Sequence, residues 1–201
     1  MTLSPEIFLF VFSVSITPGP NNVMIMTSGL NHGIRKSLPH MIGINLGFTL
    51  MLIVVGLGLG SLFESNPQLH TVIKVLGACY LVYLAWKIAS TPTGPELQAK
   101  ARPISFLQAA VFQWVNPKAW VMITGAVATF TTQDASISSQ VLLIATTFLM
   151  LGPFCTGTWL FSGVTLRRLL SEPGYRRAFN ITMAILLILS IRPVVLEFIH
   201  L

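Results

Sequence analysis

Two short stretches decide the fold: TPGPNN at residues 17–22 and QWVNPK at residues 113–118. Each lies near the middle of an apolar segment, 7–30 for the first and 104–130 for the second. A proline removes a backbone donor and disfavours helical geometry in the residue before it. Both apolar segments are therefore predicted to be helices that break near their centres.

The apolar segments are long enough to cross a membrane. Of the 201 residues, 53% are hydrophobic and 9% are charged, whereas a soluble domain has roughly 25% charged residues. Blocks of about 20 apolar residues match the hydrocarbon core of a bilayer. We predict a single all-α transmembrane domain over residues 1–201 with six spanning helices, at 6–28, 38–61, 71–89, 104–130, 139–164 and 178–199.

Basic residues lie in alternate connections between the predicted spans. The loops after spans one, three and five hold most of them: Arg35, Lys36, Lys87, Lys100, Arg102, Arg167, Arg168, Arg176 and Arg177. The opposite loops and ends hold Glu6, Glu64, Asp134 and Glu197, with Lys74 and Arg192. Since basic loops stay in the cytoplasm, both termini are predicted to lie outside. This placement also explains the net charge of +6 without a nucleic-acid partner.

The number of spans in each half predicts an inverted repeat. With three spans each, residues 1–90 and 103–201 enter the membrane in opposite orientations. Many secondary transporters are built in this way, with broken helices at the binding site. Spans one and four are then the equivalent broken helices of a 3+3 arrangement.

The two breaks form the predicted binding site. Unpaired backbone groups in lipid cost several kcal/mol each, so such breaks persist only inside protein or beside a wet cavity. The N–H groups of a half-helix suit a carboxylate, which Lys118 would also attract, while carbonyls and amides suit an ammonium group. For a single break the alternative is a proline kink that serves packing. The predicted substrate-binding residues are Thr17, Pro18, Gly19, Pro20, Asn21, Asn22, Gln113, Asn116, Pro117 and Lys118.

Three motifs in this order resemble the lysine exporter (LysE/RhtB) superfamily of amino acid exporters. They are TPGPN at 17–21 with Gly29, Gly33 and Arg35, the run 77–87, and Gln113 with NPKAW at 116–120. Residues 84–93 and 103–106 look most like the branch that exports cysteine and O-acetylserine. The resemblance implies export driven by the proton-motive force across a bacterial cytoplasmic membrane. It leaves the cargo open, since members of the family carry different amino acids.

The titratable residues limit the mechanism. No Asp or Glu lies in the middle third of any predicted span, so no coupling residue is identified and the substrate's own ionisable groups are a candidate proton carrier. The same absence favours a zwitterionic or neutral cargo over lysine or arginine. The two cysteines and four histidines lack metal-ligand spacing, so neither a metal nor a cofactor is expected.

Two other classes of function remain as alternatives. A channel or structural subunit would favour a continuous polar stripe or a ring of like charges, which the sequence lacks. An intramembrane enzyme would need a catalytic constellation, but no GxSxG, HExxH or paired acids are present. We therefore expect a transporter and not an enzyme. The sequence does not determine the oligomeric state and leaves a homo-oligomer open. Asn45 and Asn180 either line the path or bond across helices.

Overall fold

The computed structural model describes residues 5–59, 67–92, 103–132, 135–170 and 172–190. These ranges contain seven α-helices and no strand, which confirms the all-α prediction. The helices are α1 Pro5–Ile16, α2 Pro20–Val54, α3 Pro67–Ala89, α4 Phe106–Phe112, α5 Pro117–Phe130, α6 Ile137–Leu169 and α7 Pro173–Leu189. A π-helical stretch, Val55–Leu59, extends α2, and a 3₁₀ turn, Gln113–Val115, extends α4.

Helix α2 folds back on itself at Gly33. This glycine has φ 76° and ψ 178°, in the left-handed half of conformational space that side chains rarely adopt. The hydroxyls of Ser28 and Ser37 lie 2.7 Å apart, although nine residues of straight helix would separate them by about 13.5 Å. We call residues 20–32 the first arm of α2 and residues 34–54 the second arm. The prediction of a loop between spans one and two is therefore wrong, because one glycine makes the turn.

The other boundaries follow the prediction with shifts of a few residues. The breaks expected in spans one and four are confirmed, between Ile16 and Pro20 and between Val115 and Pro117. Helix α6 covers predicted span five and extends beyond it at both ends. Helix α7 begins at Pro173, earlier than predicted. The predicted loop residues Glu64, Lys100, Arg102, Asp134, Arg192 and Glu197 lie outside the described residues.

Two stretches of the described helices are long and apolar enough, by length and composition, to cross a membrane: Pro20–Gly58 and Ile137–Arg167. The first contains the fold at Gly33, so its two arms are separate segments. Large apolar side chains cover the outer surface, including Leu9 at 69% exposure and Phe154 at 74%. A soluble monomer rarely exposes contiguous apolar surface on this scale. The number of crossings stays a prediction.

Two apolar clusters make up most of the core, and each broken span contributes to both. The first cluster joins α1, the second arm of α2, α5 and part of α6 around Val11, Met51 and Ile123. The second joins the first arm of α2, α3, α4 and α7 around Met24 and Leu84. Helix α1 thus packs in one cluster and its continuation in the other, and the same holds for α4 and α5. The breaks therefore lie where the two clusters meet.

Glycines allow the helices around the breaks to pack closely. In the first arm of α2, Gly29 lies against the backbone carbonyl of Leu160 in α6. In the second arm, Gly43 lies against the carbonyl of Phe106 in α4. A Cβ at either position would overlap a backbone oxygen, so these helices could not approach as closely with larger residues. This packing holds α6 against the first arm of α2 and α4 against the second arm.

Candidate functional site

The first break exposes the carbonyl end of α1, and side chains from elsewhere bind it. Asn22 donates from Nδ2 to the carbonyls of Ser15 and Thr17, both at 2.8 Å. The indole N–H of Trp159 donates to the carbonyl of Ile16 at 3.0 Å. The carbonyls of Ser15 and Ile16 are the last ones of α1, which have no partner within the helix, and the carbonyl of Thr17 follows directly. Side-chain hydrogen bonds therefore stabilise the break.

The second break is a helix end followed directly by a new helix start. Asn116 has φ −83° and ψ 110°, and its side-chain oxygen accepts the backbone N–H of Lys118 at 3.1 Å. Pro117 follows as the first residue of α5, where a missing N–H costs nothing. Trp120 donates its indole N–H to the carbonyl of Trp114 at 2.8 Å. An asparagine cap and a proline thus restart the helix.

The structure brings the two breaks together, although about one hundred residues separate them in the sequence. Asn21 and Gln113 exchange two amide hydrogen bonds of 2.8 and 3.1 Å. Lys118 donates from Nζ to the carbonyl of Thr17 at 2.6 Å, to its hydroxyl at 2.8 Å, and to the carbonyl of Pro18 at 3.3 Å. The residue after each helix-starting proline therefore binds the opposite break.

Gly19 makes room for this contact. Its φ of −176° is ordinary extended backbone, so conformation does not explain the glycine. A Cβ built there would lie 2.6 Å from Cδ of Lys118 and 3.1 Å from its Nζ. The aliphatic stem of Lys118 thus passes directly over Gly19 to reach the carbonyls of the first break.

A cavity lies beside the joined breaks, with an empty volume of about 520 Å³ including the part open to solvent. Its walls come from α1, both arms of α2, α5 and α6. The apolar part includes Val14, Phe48, Met122 and Phe148. The polar part consists of amides, hydroxyls and one cation: Ser15, Asn21, Asn22, Asn45, Asn116, Lys118 and Thr156. No carboxylate is among the described residues that line it.

Half of the sequence-predicted site residues line this cavity, and half lie behind it. The lining ones are Gly19, Asn21, Asn22, Asn116 and Lys118. Thr17, Pro18 and Gln113 hold the breaks together from behind, and Pro20 and Pro117 start the two helices. The sequence predicted that Lys118 presents a positive charge to a carboxylate. In the structure its three N–H groups instead donate to oxygens of the first break. Gln113 is fully buried.

The sequence did not identify the contribution of α6. Thr156 lines the cavity, and its hydroxyl accepts from Nδ2 of Asn45 at 3.0 Å. Asn45 thus fulfils both readings considered for it, since it lines the cavity and bonds across helices. Asn180 bonds across helices to Asn31 at 3.0 Å and does not line the cavity. A threonine in an apolar helix carries no signal that would distinguish it, because most such hydroxyls bond to their own helix.

Helices with paired breaks and a polar cavity between them fit a transporter, and comparisons with known proteins agree. Residues 12–190 match the family described as LysE type translocator. The chain is 35% identical to the cysteine/O-acetylserine efflux protein of Escherichia coli (strain K12), over 93% of this chain and 94% of that protein. The protein of that name from Shigella sonnei (strain Ss046) has the same identity and coverage. No solved structure matches. The chain therefore belongs to the LysE type translocators, which makes it an integral membrane transporter and not an enzyme.

Proposed function

We propose that this protein is a secondary-active exporter that carries a small zwitterionic amino acid through the cavity at the joined breaks. The observation that carries the proposal is the meeting of both broken spans at one polar cavity. Amides, hydroxyls and Lys118 supply donors and acceptors there without a carboxylate in the described lining.

The cross-connection between the breaks supports a 3+3 inverted repeat. Asn21 follows Pro20 and binds Gln113 at the second break, and Lys118 follows Pro117 and binds Thr17 at the first break. Each partner lies at the carbonyl end of the opposite half-helix. A two-fold axis in the membrane plane would relate the two contacts. Rocking of one repeat against the other around such a site is the usual route to alternating access.

The names of the relatives favour a cysteine-type cargo. Those proteins are described as cysteine/O-acetylserine efflux proteins, and the sequence alone leaves homoserine and threonine as further candidates. A zwitterion places one ammonium and one carboxylate in the cavity. A cationic cargo would add a second positive charge beside Lys118 with no carboxylate in the described lining to balance it.

We infer that export is driven by the proton-motive force in a bacterial cytoplasmic membrane, with both termini outside. None of the Asp and Glu residues in the described part of the chain is buried. An embedded acid is the usual proton carrier of such proteins. Transfer of a proton on the ionisable groups of the cargo itself is consistent with that composition.

Counterflow in vesicles that contain only this protein tests the function. Vesicles loaded with unlabelled L-cysteine or L-threonine should accumulate the labelled amino acid, since a carrier exchanges its cargo without net flux. An electrical current in place of exchange would identify a channel. If the vesicles show no exchange and no current, the proposal is contradicted.

A matched pair on α6 tests the cavity. Thr156→Val removes a buried hydroxyl that lines the cavity, and we expect exchange to fall about fivefold, the effect of roughly 1 kcal/mol. Thr158→Val removes an exposed hydroxyl two residues away that bonds to its own helix. Equal rates for both variants at equal abundance would mean that the cargo does not pass this cavity.

A further inference from the structure

The ammonium group of Lys118 binds to a cluster of three oxygens, which we call the seat. Its three N–H donors meet three oxygens, two from Thr17 and one from Pro18, at 2.6 to 3.3 Å. Lys118 is half-buried in the cavity wall and comes from α5, whereas the oxygens come from the two residues that directly follow α1. The seat is therefore formed by one broken span and filled by the other.

The seat selects a cation for physical reasons. The carbonyl end of a helix carries the negative end of its dipole. Neutral donors already bind the carbonyls of Ser15 and Ile16, and Asn22 also donates to the carbonyl of Thr17. That carbonyl still accepts a second hydrogen bond, and together with the Thr17 hydroxyl and the Pro18 carbonyl it binds one group with three donors. A primary ammonium has that number of donors.

An amino acid cargo brings a group of the same kind. Its α-ammonium also has three donors and one positive charge, and the cavity that we propose it enters borders the seat. We propose that Lys118 is the resident occupant of the cargo's ammonium subsite, and that loading exchanges the two cations. The displaced Lys118 then pairs with the carboxylate of the same cargo molecule. This inference rests on the proposed function.

The exchange keeps the charge of the cavity constant. Before loading, Lys118 is the only charged side chain among the described residues that line the cavity. A zwitterion adds one charge of each sign, so the total is unchanged, and each charged group has a partner. A cationic cargo would leave two unbalanced positive charges in a site of low dielectric, which is costly. The seat thus selects molecules that carry both an ammonium and a carboxylate.

The exchange also connects loading with movement. In the empty state Lys118 ties the start of α5 to the break that follows α1, and both helices pack in the first apolar cluster. Loading releases that tie, because the ammonium of Lys118 leaves the oxygens of Thr17 and Pro18. A ligand shifts a conformational equilibrium only through contacts that differ between the states. This contact is made by Lys118 in one state and by the cargo in the other.

Binding of matched acid and amide ligands tests the exchange. L-cysteine and L-cysteinamide, or L-threonine and L-threoninamide, are titrated calorimetrically against detergent-purified protein at about pH 5.5, where the amines are protonated. The pair whose acid the wild type exchanges in vesicles is used. Wild type should prefer the acid to the amide by about tenfold or more, the value of one favourable charge contact.

Lys118→Met is the decisive variant. The seat is then vacant and the cavity has no resident charge, so the amide cation should bind at least as tightly as the acid. Lys118→Arg keeps the charge, should retain the preference for the acid, and covers the case in which the methionine variant does not fold. Lys87→Met removes a cation that does not line this cavity, and it should bind both ligands as wild type does.

Each outcome decides the matter. Reversal or loss of the preference in Lys118→Met alone supports the exchange. An equal loss of affinity for both ligands in that variant, or loss of the preference in Lys118→Arg, overturns it, since both indicate a merely structural lysine. If wild type exchanges neither amino acid, the proposed function fails and this inference fails with it. Exchange by wild type with an unchanged preference in Lys118→Met overturns the inference alone.

Discussion

At the scale of single residues, His40 stands out because it is buried without a partner. Its side chain has 0% exposure, and neither ring nitrogen has a hydrogen-bond partner among the described residues. A buried polar group without a partner costs about 1–3 kcal/mol. Replacing it by an apolar residue of similar size removes that cost. We therefore treat His40 as a weakness of the fold and not as a proton carrier.

His40→Leu should raise the apparent melting temperature in detergent by a few degrees, since 1 kcal/mol is worth about 2–4 °C in a chain of this size. Asn180→Leu is the control, because it removes an acceptor that Asn31 uses and should lower that temperature. Tryptophan fluorescence at one scan rate measures both. A drop for His40→Leu, or loss of exchange with the fold intact, would assign His40 a functional partner.

The sequence identifies the residues that change the backbone but not what their side chains bind. Prolines and glycines act through local geometry, so the breaks at Pro18 and Pro117 follow from the chain alone. The position of Lys118 depends on a contact with Thr17 across the fold, and no spacing predicts it. The sequence places a free charge at Lys118, whereas the structure places a bound one.

At the scale of elements, a reciprocal amide contact holds the two broken spans together, α1 with the first arm of α2 and α4 with α5. Asn21 at the start of α2 and Gln113 at the end of α4 exchange two hydrogen bonds, and Gln113 also donates to the carbonyl of Ala109 at 2.8 Å. One partner lies on each break, and the helices that carry them, the first arm of α2 and α4, both pack in the second apolar cluster. The pair therefore joins the breaks independently of Lys118.

A double-mutant cycle with Asn21→Ala and Gln113→Ala should give a coupling free energy of about 1–2 kcal/mol, within the range for residues in direct contact. Thermal stability in detergent, compared for the wild type, both single variants and the double variant, gives the value. A cycle of Asn21→Ala with Gln108→Ala uses an exposed amide of the same helix α4 and should give no coupling. Equal coupling in the two cycles would mean that the contact does not form.

Helix positions follow from apolar length, but turns that need only one residue do not. Residues 29–37 contain polar and basic side chains, which predicted a loop between spans one and two. The helix instead continues on both sides of Gly33, because a single left-handed glycine can reverse its direction. Gly19 has a different role, since its backbone is ordinary and its lack of a Cβ makes room for Lys118.

At the scale of the whole molecule, the distribution of charge predicts the side of the membrane on which each connection lies. Ala135 lies in the connection between α5 and α6, and Glu172 lies in the connection between α6 and α7. Both residues are exposed. If α6 crosses the membrane, these two positions lie on opposite sides. The basic residues around Glu172 predict that it lies in the cytoplasm.

Labelling of single cysteines in intact cells tests this arrangement. In a chain with Cys79 and Cys155 replaced by alanine, Ala135→Cys should react with an impermeant maleimide added outside. Glu172→Cys should react only after the cells are permeabilised. The reverse pattern would invert the orientation and place both termini in the cytoplasm, while the fold and the cavity would stand. Labelling of both from one side would mean that α6 does not cross, and an inverted repeat would then be impossible, because its second half needs α6 as the partner of the second arm of α2.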